Sequence, residues 1–324
     1  MNRYKIMKRQ KGQEMGELIY SEFRNPRQML ASQEYDGHLS IHDDQMAGDL
    51  GFSGAPIEGP THFSQFVPLL HTIFGDEWFE RGCISAHYQN MVIEGEAVRA
   101  FVEEISPGQT VTRIGAEKED GTPVLTGTAS IGPDHGETEL SIRMGRLRPS
   151  EQLVILSDLV VGQKGAANPE LVSMGFDQNM GAMYPFSLSE KLKVITEDHD
   201  YYHGDAALGS PWGKAVVPLE MVSVLTQYTS GQAGYRSRGP AVGLFAGQEI
   251  KYINGPIFVD HPYKLEREII ALSESKRTES NWIMTRVIDG ETDQLVAEVI
   301  LNSATLKESY EKYEEDAKQL GREL

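Results

Sequence analysis

One pattern constrains this chain more than any other: it occurs twice. A Gly/Pro turn, an apolar helical run and four strand-like runs appear over residues 54–131 and return over residues 213–301. Gly54 and Gly213 are 159 positions apart, Tyr88-x-Asn90 and Tyr252-x-Asn254 are 164 apart, and Asp120-Gly121 and Asp289-Gly290 are 169 apart. Offsets that grow slowly are what short loop insertions in a second copy produce. A helix with one apolar face and a four-stranded antiparallel run each need a partner to bury against. The pattern therefore predicts an α+β fold of two half-units. Each is a long helix wrapped by a curved antiparallel sheet, with the two sheets joined edge to edge so that no long edge is left unpaired.

The first copy has its helix over residues 60–74. Pro60 suits the first turn, where its missing N–H costs little, and Phe63, Phe66, Val67, Leu70 and Phe74 recur at helical spacing. Pro68 interrupts that run and predicts a kink or a shifted start. Strands follow at Cys83–Val92, Glu96–Ile105, Val111–Glu117 and Pro123–Ile131, the last hairpin marked by Asp120-Gly121. The second copy has a short acidic helix over Asp198–Leu208 and a helix over Leu219–Gln232. Its strands are Val242–Ile253, His261–Leu272, Asn281–Ile288 and Leu295–Leu301. The domain boundaries expected are an extension (1–34), a first unit (35–132), a connection with a possible lid (133–190), a second unit (191–305) and a helical tail (306–324). Within the connection we expect a strand at Glu139–Leu147 and a lid contribution from Met174–Phe186. The charged tail reads as a solvated helix.

Composition removes several classes of function. With 30 basic and 48 acidic residues the net charge is −18, which argues against nucleic acid and against a polybasic membrane contact. No run of about eighteen apolar residues is present, so no membrane span is expected. The single cysteine, Cys83, excludes an intrachain disulfide and fits a reducing, cytoplasmic setting. No activating pattern surrounds it, so it reads as a small buried residue. Gly-rich phosphate loops, nucleophile elbows and dinucleotide fingerprints are absent. No cofactor and no metal are expected, although His38 and His42 stand four apart beside Asp43 and Asp44.

The chemistry-bearing stretch is Ile41-His42-Asp43-Asp44 through Gly51-Phe52-x-Gly54-x-Pro56-Ile57-Glu58-Gly59. It sets a histidine and carboxylates before a helix start, where backbone N–H groups can hold a developing negative charge. With the second-half turn Ser210-Pro211-Trp212-Gly213-Lys214-Ala215-Val216-Val217-Pro218, these residues resemble the MaoC-like hydratase/dehydratase family in its double hotdog form. The resemblance covers most of residues 35–132 and 192–304. It implies a hydro-lyase acting at a double bond conjugated to an acyl thioester, with coenzyme A entering only as part of the substrate. It also implies that His42 takes the place of the family histidine, and that the Gly59 N–H polarises the thioester carbonyl. The family aspartate stands five positions before its histidine. Here that position is Gly37, and Asp36 lies one step further back; Leu39-Ser40 replace the usual Asn-Pro pair. The residue before Gly59 is Glu58, where many relatives carry histidine.

Hydration of such a bond needs a group to deprotonate water, a proton for the α-carbon and a donor to the enolate oxygen. His42 with Asp36 (or Asp43) and Gly59 form the expected catalytic set, and His38, Asp43, Phe52, Gly54, His62 and Trp212 the expected pocket. Phe52 and Trp212 read equally as core, and His62 equally as a second acid/base group or a buried imidazole. In the second half Asp198 and His203 show the five-residue spacing and form the alternative site. Three readings stay open: the hydro-lyase, a lyase or isomerase acting on a small molecule not carried on coenzyme A, and a non-catalytic acyl-binding protein. A homodimer is compatible with all three.

Overall fold

The computed structural model describes residues 5–7, 16–35, 38–49, 51–148 and 152–322. In chain order its strands are β1 (Lys5–Met7), β2 (Leu18–Tyr20), β3 (Glu34–Tyr35), β4 (His38–Leu39), β5 (Gly82–Tyr88), β6 (Val98–Glu103), β7 (Val111–Lys118), β8 (Pro123–Ile131), β9 (Glu170–Val172), β10 (Gly243–Tyr252), β11 (Tyr263–Glu274), β12 (Thr278–Asp289) and β13 (Leu295–Leu306). Its helices are α1 (Asp44–Asp49), α2 (Val67–Phe74), α3 (Glu77–Arg81), α4 (Glu139–Met144), α5 (Leu188–Leu192), α6 (Leu219–Gln227) and α7 (Tyr313–Gln319).

Eleven of these strands form one sheet in the order β1-β2-β6-β7-β8-β5-β10-β13-β12-β11-β9. The order β6-β7-β8-β5 on one side is mirrored by β10-β13-β12-β11 on the other, as two related half-units require. The halves meet where β5 pairs antiparallel with β10, from Gly247 opposite His87 to Lys251 opposite Cys83. This is the double hotdog arrangement the repeat predicts. The outer edges of both halves are covered by short strands, β2 on β6 and β9 on β11, which limits edge-to-edge aggregation.

The first central helix starts as a 3-10 turn over Gly59–Phe66 and continues as α2. Pro68 sits in the first turn of α2, so it shifts the start of the regular helix and does not break it. In the second half α6 is fully buried and is followed by a 3-10 turn over Ser230–Ala233. The two helices pack together inside the curved sheet, and Phe63, Phe66, Leu70, Met221, Val222 and Leu225 enter one shared core.

Equivalent contacts bear out the repeat and sharpen its register. Asn90 Nδ2 donates to the Pro123 carbonyl and Asn254 Nδ2 to the Leu295 carbonyl, so the recurring Tyr-x-Asn is a structural clamp. Ile57 N donates to Val92 O, and Val217 N to Ile257 O, which makes the offset at the helix start 160. Gly213 has φ +62 whereas Gly54 is not left-handed, so matching those two glycines is one position out. The Asp289-Gly290 hairpin also differs. β12 runs through Asp289, and the left-handed turn residue is Asp293.

Three expectations about the segments outside the repeated strands and helices are corrected. Glu139–Leu147 is not a strand: Thr138 and Ser141 form a capping box that starts α4 there, and Leu140 packs against Trp282 and Ile300 on the outer face of the sheet. The C-terminal segment is not a solvated helix. Tyr313 and Ala317 of α7 are buried beside Leu153–Leu156 and Ile269. The acidic helix expected at Asp198–Leu208 is two 3-10 turns, Asp200–Tyr202 and Ala206–Gly209.

A single carboxylate fastens the C-terminal helix and the stretch Leu153–Leu156. Glu279, fully buried, accepts hydrogen bonds from Val154 N (2.8 Å), Leu156 N (3.0 Å) and Tyr313 Oη (3.0 Å). Glu279→Ala strands three buried donors, a loss of about 3 kcal/mol or more. Denaturant unfolding measures that loss, and limited proteolysis is expected to cut first around residues 152–159.

Candidate active site

The stretch between His42 and Gly59 reaches the mouth of the first central helix by a folded path. The hairpin β3–β4 brings the chain to Ser40, whose Oγ accepts from His42 N (3.1 Å) and donates to Gln33 Oε1 (2.7 Å). Asp43 Oδ1 then accepts from Gln45 N and Met46 N (2.9 and 3.1 Å) and caps α1. Asp44 Oδ1 takes Ala55 N at 3.0 Å and closes the Gly/Pro loop back on itself. The loop returns the chain to Pro56, beside His42.

His42 is held by one contact in particular. Its Nδ1 lies 2.7 Å from the Pro56 carbonyl, which also accepts from Gln28 Nε2 at 2.6 Å. A carbonyl only accepts, so Nδ1 carries the proton and Nε2 is the free lone pair. Burial holds the His42 pKa below its usual value, against an opposing push from the Pro56 hydrogen bond. The result is a neutral, oriented imidazole, the form a general base needs at neutral pH.

A cavity of about 520 Å3 opens in front of it, lined at this end by His42, Glu58, Gly59, His62, Tyr88 and Tyr184. Glu58 immediately precedes the helix. Its carboxyl is enclosed by protein yet faces the cavity, and Tyr184 Oη donates to its Oε1 at 2.9 Å. Burial raises its pKa to about 7, opposed by the Tyr184 hydrogen bond and the Lys191 charge and aided by Glu220. Lys191 and Glu220 are themselves a buried ion pair, 3.0 Å apart, between α5 and α6.

Gly59 is the first residue of the helix, so its N–H has no intrahelical acceptor. The Tyr88 ring lies across it, and a Cβ added at Gly59 would meet ring carbons at 2.5 Å. His62, one turn in, is 2% exposed, and burial with the Lys191 and Lys118 charges pushes its pKa down to about 4. It is a neutral imidazole at working pH, not an acid. Its Nδ1 and the Tyr88 hydroxyl are buried without a hydrogen-bond partner among the described residues.

The structure thus brings His42, Gly59 and His62 to one cavity, and of the other candidates whose side chains are described none lines it. Asp36 lies outside the described residues, as does the side chain of His38. Asp43 is a helix cap. Phe52 packs with Ile41, Val242 and Leu306, and Gly54 borders Ile93. Trp212 donates its Nε1 to Glu80 and packs edge-on against Phe79 and Tyr201. Asp198 and His203 do meet, at 2.7 Å, but as an exposed surface pair away from the cavity lining. Cys83 is buried with its pKa pushed well up by burial, which suits packing and not nucleophilic attack. Glu58, Tyr88 and Tyr184 are the site residues that spacing alone missed. The available signal was a lone carboxylate set between Ile57 and the Gly59-Pro60 helix start.

The described residues contain no group of three or more His, Cys, Asp or Glu placed to hold a metal ion, and no helix among them is long and apolar enough to cross a membrane. No protein-family model matches the chain, and no curated protein matches it in sequence. Solved structures similar to it include a MaoC-like dehydratase (12% identity, covering 89% of this chain and 97% of that one, TM-score 0.48). A conserved hypothetical double hotdog protein of Mycobacterium tuberculosis is similar at 8% identity, covering 82% and 86%, with a TM-score of 0.49. The dehydratase domain of PpsC from the same organism, solved with C12:1-CoA, is similar at 10% identity, covering 90% and 94%, with a TM-score of 0.42.

Two outcomes follow from the Glu58 environment. Its folded-state pKa is raised from 4.5 to about 7, so the folded protein holds this proton more tightly than the unfolded chain. Its contribution to stability is complete below about pH 4.5 and is lost as pH rises through about 7. The Tm of the parent is therefore expected to fall relative to that of Glu58→Gln between pH 5 and pH 8. Equal Tm differences at both pH values would refute the buried carboxyl. Gly59→Ala drives a methyl into the Tyr88 ring and costs about 1–3 kcal/mol, read by denaturant unfolding.

Proposed function

We propose that this protein is a hydro-lyase that adds or removes water at a double bond conjugated to an acyl thioester. The observation that carries the reading is the pairing, in one cavity, of a neutral His42 whose Nε2 has no partner among the described residues with a Glu58 carboxyl whose pKa is about 7. General acid–base chemistry asks for two groups whose environments push them to opposite protonation states near neutral pH.

In the hydration direction His42 Nε2 takes a proton from water, and the water oxygen bonds to the β-carbon. Electron density moves through the conjugated system onto the thioester oxygen, where the Gly59 N–H meets the growing charge. Protonated Glu58 then delivers its proton to the α-carbon, and the double bond becomes single. Dehydration is the same path reversed, from protonated His42 and ionised Glu58. Both directions use the enzyme carrying one proton on the pair. This reading takes Glu58, which shares the cavity with His42, as the carboxylate; Asp36 lies outside the described residues. Tyr184 orients Glu58, and the neutral His62 remains available as a hydrogen-bond donor to substrate. A cavity of about 520 Å3 suits an acyl group with part of its carrier.

A panel of 2-enoyl-CoA esters, followed by loss of the absorbance of the conjugated bond, tests the reading. His42→Ala and Glu58→Gln are each expected to lower kcat by about 10²–10⁴-fold with the fold intact. The kcat/KM profile should be bell-shaped, with its upper limb near pH 7 set by Glu58, and that limb should vanish in Glu58→Gln. If no ester reacts, a saturated acyl-CoA that still binds would leave the non-catalytic acyl-binding reading in place.

A further inference from the structure

The cavity does not end at the catalytic groups. It continues into the second half-unit, between the end of α6 and the concave face of β12 and β13, and this part of the wall is polar. Asn281 on β12 stands opposite Ser303 on β13, with Thr305 two residues on along the same face. Facing them are Gln227, the last residue of α6, and Ser230 in the turn that follows. The side chains of these five residues make no hydrogen bond to other described residues. Gln227 is only 8% exposed, and its amide is not one of the fully buried unpaired groups, so the exposed remainder opens onto the cavity. Such an amide pairs with water until a ligand that can replace that water takes its place.

Two arginines reach this part of the wall. The Arg267 guanidinium is held bidentate by Glu170, at 2.7 and 3.0 Å, both side chains being buried, and Arg236 is exposed to solvent, which screens its charge. The other polar groups named above are neutral amides and hydroxyls, each able to donate and to accept. An aliphatic chain lying there would leave them all unpaired. A hydroxyl or carbonyl oxygen would pair with them.

We propose that the second-unit chamber binds a neutral, oxygen-bearing distal end of the substrate, a hydroxyl or keto group, and selects against a purely aliphatic tail. This rests on the thioester reading for the position of the reacting end, and it defines the substrate class as an oxygenated acyl group. The chamber lies beyond the groups that carry the chemistry, so the selection acts on binding and not on the proton transfers. Along the same strands Ile283 stands opposite Leu301 and both line the cavity, which gives the methylenes of the chain an apolar contact.

Calorimetry with unreactive saturated CoA esters tests this. The series comprises alkyl esters of four to ten carbons and their counterparts hydroxylated at each position from C4 outward. At least one hydroxylated ester is expected to bind tenfold or more tightly than its alkyl parent, and the double variant Asn281→Leu/Ser303→Val to reverse that order. An alkyl ester that binds as well as every hydroxylated counterpart would overturn the proposal, as would an unchanged preference in the double variant. A tighter fit for the adipoyl ester than for 6-hydroxyhexanoyl-CoA would overturn its neutral character. If no CoA ester binds, the thioester reading fails separately. The chamber is then probed with hexane-1,6-diol and hexan-1-ol by NMR of the Gln227 and Asn281 side-chain amides. The diol is expected to shift both signals more than the alcohol does, and equal shifts would refute the polar chamber.

Discussion

The seam between β5 and β10 is the constraint on which the rest of the molecule depends. Each half-unit alone would present a long sheet edge and a helix with half of its apolar surface bare. Pairing the two edges satisfies the backbone of both strands, and it brings the two central helices side by side inside one sheet. Close approach along the seam is built from glycine. A Cβ at Gly247 of β10 would lie 2.9 Å from the Ala86 carbonyl oxygen, and on the other side of β5 one at Gly127 of β8 would lie 2.2 Å from that of Ser85. With the sheets fixed, the start of the first helix and the end of the second open onto the same space, and the cavity spans both halves.

That geometry divides the work between copies that began alike. At the structural offset of 160, Pro218 stands where Glu58 stands and Leu219 where Gly59 does. The position of His42 falls on the Tyr201-Tyr202 pair. The second unit therefore has neither a histidine at that position nor a carboxyl immediately before its helix, and it carries a side chain where the first leaves the backbone bare. It retains the clamps that hold the fold, such as Asn254 on Leu295, and contributes wall. Asp198 and His203 keep a suggestive spacing, but they lie on the surface, where the pair has water on every side and nothing to act upon.

How much of this was legible in the sequence follows from how local each determinant is. The eight long strands and both central helices announce themselves by periodicity and turn residues, because burial on one face imposes that periodicity. The connection does not, because its order comes from distant groups: Val154 and Leu156 are fixed by Glu279, more than 120 positions away. The same carboxylate takes Tyr313 Oη and turns a charged tail into a packed helix. Motif spacing led to His42 and Gly59 but pointed to Asp36 for the carboxylate. Glu58 carries no motif, and its character comes from enclosure and from Tyr184, which is 126 positions away.

A core selected for stability alone would not look like the start of the first helix. Tyr88 Oη and His62 Nδ1 are buried there without partners among the described residues, and burial raises the Glu58 pKa to about 7. Each of these features costs stability, and apolar side chains of similar size would remove the cost. They cluster at one end of one helix, around a glycine whose missing side chain admits an aromatic ring. The equivalent end of the second helix has Pro218 and Leu219 in place of the carboxyl and the bare backbone. The start of the second helix also bears buried unpaired atoms among the described residues, Tyr202 Oη and Glu220 Oε2, so such costs fall on both copies. What sets the first copy apart is that Glu58, His62 and Tyr88 line the cavity, whereas Tyr202 and Glu220 do not, so only there can a ligand supply the missing partners.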